Sequence, residues 1–173
     1  MRLVASLGSL LVFLFIFAPA AAAQEGRISS FSGKPVPRFE SLRYGLTNGR
    51  AGPSLDHPIR WAYQREGLPV RILKESQNWR FVEDPDGARV WMHARMLSAE
   101  RNVMIREETL LRVDPDETSR AVARLSSGLI VGVVSEAGSW LRVTADGYRG
   151  WVQMPATWGV STGALPTNSD AAG

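Results

Sequence analysis

A chain of 173 residues without a single cysteine has no disulfide staple, no thiolate nucleophile and no lipidated or metal-ligating cysteine. Its 20 basic and 17 acidic residues give a formal net charge of +3, too mild a surplus for a nucleic-acid binder, so no nucleic-acid partner is expected. Hydrophobic residues make up 45% of the chain, which supports a folded core even though the apolar N-terminus swells that figure.

Residues 1–23 read as a signal peptide. Met1 and Arg2 form a short positive start, and residues 3–18 are apolar apart from Ser6, Gly8 and Ser9. Pro19 breaks any helix, and Ala21 and Ala23 stand at −3 and −1 of a small-x-small cleavage site before Gln24. The competing reading is a retained membrane anchor, but the apolar run falls short of the ~20 residues a spanning helix needs. Contact with the membrane is therefore expected only in transit. An exported module of this size without disulfides suits a bacterial envelope, so a periplasmic or secreted location is expected.

Residues 24–40 are rich in Ser, Gly and Pro and read as a flexible lead-in ending in an extended Pro-x-Pro stretch at Pro35 and Pro37. Such a stretch could dock in a groove of the same or a neighbouring molecule. Residues 161–173 lack apolar periodicity and read as a disordered tail.

Between them lies an internal repeat. Trp79 and Trp140 are 61 residues apart, as are Gly67 and Gly128; Asp86-Gly87 and Asp146-Gly147 are 60 apart, as are Trp91 and Trp151. Arg50 and Pro53 match Arg112 and Pro115 at an offset of 62. The drift fits one-residue loop gaps, placing copy one at 41–98 and copy two at 99–160. Each copy reads as short strands. In copy one, Val70-Arg71-Ile72, Trp79 through Val82 and Val90-Trp91-Met92 are β-rich runs bounded by turns at residues 75–78 and 84–87. In copy two, residues 129–134, 140–143 and 150–152 correspond, with Asp146-Gly147 as a hairpin signal. A single helical turn is predicted at 94–97. A unit of this length with about five strands closes most economically as a small barrel, which removes sheet edges. Two marginal units would gain by sharing an interface.

In order, the motifs are Asn48, Arg50, Gly52 and Pro53, then Gly67 and Val70, Trp79 and Val82, and Asp86, Gly87 and Trp91. Copy two keeps Arg112, Pro115, Gly128, Val131, Trp140, Val143, Asp146, Gly147, Gly150 and Trp151. This twice-repeated order resembles the bacterial SH3-like domain, in particular tandem SH3-like proteins of alphaproteobacterial envelopes. The resemblance covers about 120 residues, 41–160. It implies an all-β fold of two tandem SH3-like small β-barrels after an N-terminal signal peptide, and a non-catalytic role. Several such domains are thought to bind peptidoglycan peptides or to target an attached hydrolase. Three positions depart from the pattern. Val90 replaces the Gly before the second Trp of copy one, and in copy two Asp114 and Leu110 replace a Gly and an Asn. The fuller loop motif makes copy one the expected binder and copy two its support.

The side chains themselves point away from catalysis. Only His57 and His93 are available, with no Cys for a dyad, no H-E-x-x-H for zinc and no G-x-S-x-G elbow. No enzyme activity and no cofactor are expected. Asp114, Asp116 and Glu117 form an acidic loop that reads as a solvated turn, since it lacks the Gly and the spaced ligands of a calcium loop. Trp79, Trp91, Trp140 and Trp151 stand at repeated strand positions and are expected to pack the barrels. Tyr44, Trp61 and Tyr63 have no aromatic counterpart in copy two and lie near the 48–53 loop. Together with Asn48 and Arg50 they are the candidate ligand-binding residues. Arg50, Arg60 and Arg65 nearby would suit acidic stem peptides. The expected function is an exported binding module for cell-wall peptide or an envelope protein. The alternative is a periplasmic protein–protein adaptor without wall affinity, and a cell-wall hydrolase comes third.

Overall fold

Apolar residues at every second position, between turns built on Gly, Asp and Asn, make strands. Strands account for nearly all regular structure in this computed structural model, which describes residues 27–161. The predicted signal peptide, and the predicted tail beyond Ser161, lie outside the described residues.

The first half contains β1 (Arg27–Ile28), β2 (Pro35–Val36), β3 (Arg38–Leu42), β4 (Thr47–Arg50), β5 (Ile59–Tyr63), β6 (Pro69–Ser76), β7 (Trp79–Glu83), β8 (Arg89–His93) and β9 (Leu97–Ser98). The second contains β10 (Asn102–Ile105), β11 (Thr109–Arg112), β12 (Ala121–Leu125), β13 (Ile130–Ala137), β14 (Trp140–Ala145), β15 (Tyr148–Gln153) and β16 (Thr157–Trp158). The helical turn predicted in copy one is a 3₁₀ turn at Ala94–Met96, and copy two has its twin at Met154–Ala156.

Each half forms one seven-stranded antiparallel sheet. Their orders are β5-β4-β8-β7-β6-β3-β9 and β12-β11-β15-β14-β13-β10-β16, which are the same topology twice. Even the irregularities repeat. A bulge falls between Ile72 and Lys74 in β6 and between Val133 and Ser135 in β13. A second falls between Gly49 and Arg50 in β4 and between Leu111 and Arg112 in β11. Bulges sharpen the twist, which lets so short a sheet curl over its own core. These are the two small barrels expected from the sequence.

Each barrel has its own core. Leu42, Val70, Ile72, Val82, Val90 and Met92 fill the first, and Val103, Ile105, Leu111, Val131, Leu141, Val143 and Val152 fill the second. The four repeated tryptophans are not among them. Period-2 geometry turns Val82 and Met92 inward and leaves Trp79, Phe81 and Trp91 half-buried on the outer face. There Phe81 and Trp91 pack at 5.2 Å and Trp79 meets His93 edge-on at 5.4 Å.

The structure explains the departure at Val90. A Cβ on Gly49 would lie 2.6 Å from Cγ2 of Val90, whereas in copy two a Cβ on Gly150 would lie 2.7 Å from Cγ of Leu111. The pairings Arg50–Trp91 and Arg112–Trp151 make Gly49 equivalent to Leu111 and Val90 equivalent to Gly150. One side chain fits between these strands, and each copy supplies it from the opposite strand.

The lead-in differs from its sequence expectation. Its polar composition predicts flexibility over 24–40, yet β1 and β2 form a hairpin and β3 pairs with β6 inside the first sheet. Two forces hold it. Val36 buries itself in the first core. Ser29 Oγ and Ser32 Oγ donate to the Glu75 carboxylate at 2.5 and 2.9 Å, and Arg38 and Arg80 reach the same carboxylate at 2.7 and 3.1 Å. The Glu75 side chain is 0% exposed. Burial alone would raise its pKa; the hydrogen bonds from Ser29, Ser32 and Arg38, with the charge of Arg80, outweigh burial and hold the carboxyl below its ordinary range.

The barrels touch. Met104 and Ile130 of the second pack against the first core, and Phe39 meets Trp158 edge-on at 5.4 Å. Ser41 Oγ donates to the Glu100 carbonyl at 2.9 Å, tying β3 to the segment that joins the barrels.

Candidate functional site

Strand β5 is the edge of the first sheet, held on one side only by β4. An edge strand leaves side chains and backbone open to a partner. Trp61 stands there 58% exposed, and Tyr63 lies two residues on along the same face. Beside them the β7–β8 turn contributes Asp84 and Asp86, and the second barrel contributes Met104. Together with Arg65 these residues line a cavity of about 330 Å³ where the barrels meet. That is the lower end of the volume range for small-ligand sites.

The turn is built locally. Asp84 Oδ1 accepts from the backbone N–H groups of Asp86 and Ala88 at 3.0 and 2.8 Å, an Asx-type arrangement that closes the Asp-Pro-Asp-Gly turn. Its other oxygen, Oδ2, accepts from the Tyr63 hydroxyl at 3.0 Å. Burial, then this hydrogen bond and the charges of Asp84 and Asp86, push the Tyr63 hydroxyl well above its ordinary pKa. Tyr63 is therefore a fixed neutral donor that orients one wall of the cavity. Asp86 is exposed and has no ion-pair partner among the described residues.

Of the five candidate residues, the cavity brings together Trp61 and Tyr63. Tyr44 and Asn48 are exposed outside its lining. Arg50 donates to the carbonyls of Leu55 and His57 at 3.0 and 2.8 Å, closing the β4–β5 loop. Its repeat equivalent Arg112 donates to the Ser119 carbonyl at 2.6 Å, so loop closure accounts for the repeated arginine in both copies. Arg65 crosses to the second barrel and donates to the Gly128 carbonyl at 2.5 Å. The cavity's own carboxylates make it acidic and aromatic rather than basic, unlike the basic surface that the arginine cluster suggests.

Sequence reasoning missed Asp84 and Met104. Asp84 sits in a motif fully explained as a turn, and its second task emerges only when Tyr63 is laid beside it. Met104 belongs to the other copy, and no spacing within one repeat points to it.

The acidic loop of copy two behaves as a turn. Asp116 Oδ1 accepts from the Thr118 backbone N–H and hydroxyl, each at 2.6 Å, and Ser119 donates to Asp114 at 3.2 Å. Among the described residues no group of three or more His, Cys, Asp or Glu is placed to hold a metal ion.

The profile of the family described as bacterial SH3 domain matches the chain twice, at residues 44–99 and 106–159. No curated protein matches. Among solved structures, the chain is similar to NlpC2 of Trichomonas vaginalis at 14% identity, covering 70% of this chain and 48% of that one with a TM-score of 0.33. It is similar to NlpC1 of the same organism at 16% identity, covering 75% and 48% with a TM-score of 0.32. An NlpC/P60 family protein of Bacillus cereus matches at 13% identity, covering 69% and 55% with a TM-score of 0.31. The chain thus spans about half the length of each.

Proposed function

The chain belongs to the bacterial SH3 domain family, and on that footing we propose that it is an exported, non-catalytic module that binds peptides of the cell wall. The observation that carries this reading is the cavity between the barrels, where an exposed indole and an oriented tyrosine face two carboxylates. Aromatic faces beside carboxylates hold ammonium and amide groups by cation–π contact and hydrogen bonding. Wall peptides carry both groups. Both matched regions are of this one domain type.

The test is cosedimentation of residues 24–173 with purified sacculi. Retention above a control protein is expected, and Trp61→Ala should abolish most of it while leaving the circular dichroism spectrum unchanged. No retention of the parent chain would remove the wall-peptide reading.

One observation favours the second reading, an envelope protein as partner. Leu46, Leu55 and Ile59 are 62%, 73% and 50% exposed on or beside the β4–β5 hairpin, close in sequence to Trp61. Exposed apolar residues on an edge hairpin suit a protein surface. This reading expects a specific protein captured from envelope extract, lost in Leu55→Ser, and no retention on sacculi.

A further inference from the structure

A second cavity of about 320 Å³ also lies between the barrels and shares no residue with the first. Pro37, Phe39 and Arg71 line it from the first barrel, and Arg106, Thr157 and Trp158 from the second. Among the described residues no acidic side chain is in its wall. Its polar side chains are two guanidiniums, the Trp158 indole and the hydroxyls of Thr157 and Ser161, of which Thr157 already donates to the Met154 carbonyl at 2.8 Å.

Two buried side-chain nitrogens among the described residues have no acceptor, Arg71 Nε and Trp158 Nε1, and both belong to this cleft. Native structures rarely leave a buried N–H unpaired, because the group has lost water and gained nothing. Two such donors on facing walls of one cleft call for an acceptor from outside the described residues. Arg106 strengthens the case. Its repeat equivalent is Arg43, since their backbone N–H groups bond the carbonyls of Met96 and Ala156 in matching fashion. Arg43 spends its Nε on the Leu97 carbonyl, whereas the Arg106 guanidinium makes no hydrogen bond or ion pair among the described residues. Trp158 is also specific to copy two, its counterpart being Ser98.

We propose that this cleft binds the terminal carboxylate of a peptide. Arg106 meets it first from the exposed rim. Arg71 lies over the Trp158 indole at 5.5 Å, so each shields the other's N–H; its side chain is 37% exposed and anchored at its far end to Glu83. Rotating Arg71 off the indole opens both donors to the carboxylate. Phe39 and Pro37 supply an apolar wall for the last residue's side chain. The volume suits one terminal residue rather than an extended chain.

The test is titration of ¹⁵N-labelled chain from residue 24 with N-acetyl-alanyl-alanine, its C-terminal amide, and inorganic phosphate. The chain has six tryptophans, so the Trp158 indole N–H resonance is assigned by its loss in Trp158→Phe. The free acid should move that resonance and leave that of Trp61 in place, while the amide moves neither. Arg106→Gln, a change at an exposed position, should weaken the response at least about tenfold, the scale of one charge-assisted hydrogen bond. An equal response to the amide, or no response at Trp158, overturns the proposal. So does phosphate acting as strongly as the acid, which would make the cleft an unselective anion patch. Failure here leaves the wall-peptide reading intact, because that reading is scored at Trp61 on sacculi.

Discussion

The two barrels share a topology, both bulge positions and an ion pair, yet they hold that ion pair in opposite environments. Arg38–Glu75 in the first corresponds to Arg101–Glu136 in the second, as the strand registers show. In the second barrel the pair is more open, with the Arg101 side chain 56% and the Glu136 side chain 18% exposed. In the first, Arg80 stands where the second has Leu141, and the β1–β2 hairpin closes over the carboxylate with two serine hydroxyls. The same contact is, in one copy only, the buried fastening for the segment that precedes it. The same asymmetry runs through the sites, since the first cavity depends on β5 aromatics found only in copy one and the second on a tryptophan found only in copy two.

The largest expected effect tests that contrast directly. Glu75→Gln should cost about 3 kcal/mol in urea unfolding, because it leaves Arg80 without a counter-charge in a covered site and Arg38 with Glu40 alone. It should also expose residues 27–37 to proteolysis. Glu136→Gln should cost less than about 1 kcal/mol, the range for open surface pairs. Equal losses would mean that the hairpin contributes nothing to the fastening.

The acid response follows from the same residues. Glu75 and Glu83 both have folded-state pKa values below their ordinary ones. For Glu83, burial raises the value, but hydrogen bonds from Arg89 and Arg71 outweigh it. A depressed carboxyl pKa contributes stability that is fully present above the unfolded-state value and is lost as pH falls through the folded one. Both groups belong to the first barrel; in the second, Asp116 is also held low by hydrogen bonds from Thr118, but it lies exposed in a loop. Hydrogen exchange should therefore show the first barrel loosening below about pH 4, the ordinary carboxylate range, before the second does, and Glu75→Gln should flatten that difference.

Next in size is the exchanged glycine. Gly49→Leu alone should destabilise the first barrel by about 1–3 kcal/mol through overpacking against Val90. Adding Val90→Gly recreates the arrangement of Leu111 and Gly150 and should restore most of the loss. A double variant no more stable than the single one would show that the two copies do not share this contact. Smaller still, Tyr63→Phe should cost about 1 kcal/mol by removing one donor from buried Asp84, with no counterpart in copy two to compare.

Much of the architecture was legible in the repeat itself. The later strands of each copy carry β-branched and aromatic runs between strong turns, as in Trp79 through Val82 and Gly150 through Val152, so local composition and long-range pairing agree. The earlier strands were not legible. Arg-Phe-Glu-Ser-Leu in β3 and Thr-Asn-Gly-Arg in β4 have no strand signature, and they are extended because β6 and β8 offer them partners. The lead-in escaped for the same reason, since nothing local shows that its serines will meet Glu75.

The sequence alone determined that this chain is a duplicated all-β module without the residues of familiar hydrolytic sites, because repeat spacing, alternation and missing residue types are properties of the chain. Only the tertiary structure decided which residues stand together. Trp61 and Tyr63 join Asp84 and Met104, Arg71 joins Trp158, and Arg50 is spent on its own loop. Those neighbourhoods arise from strand register and from packing one barrel against the other, and each joins residues too far apart in the chain for spacing to reveal.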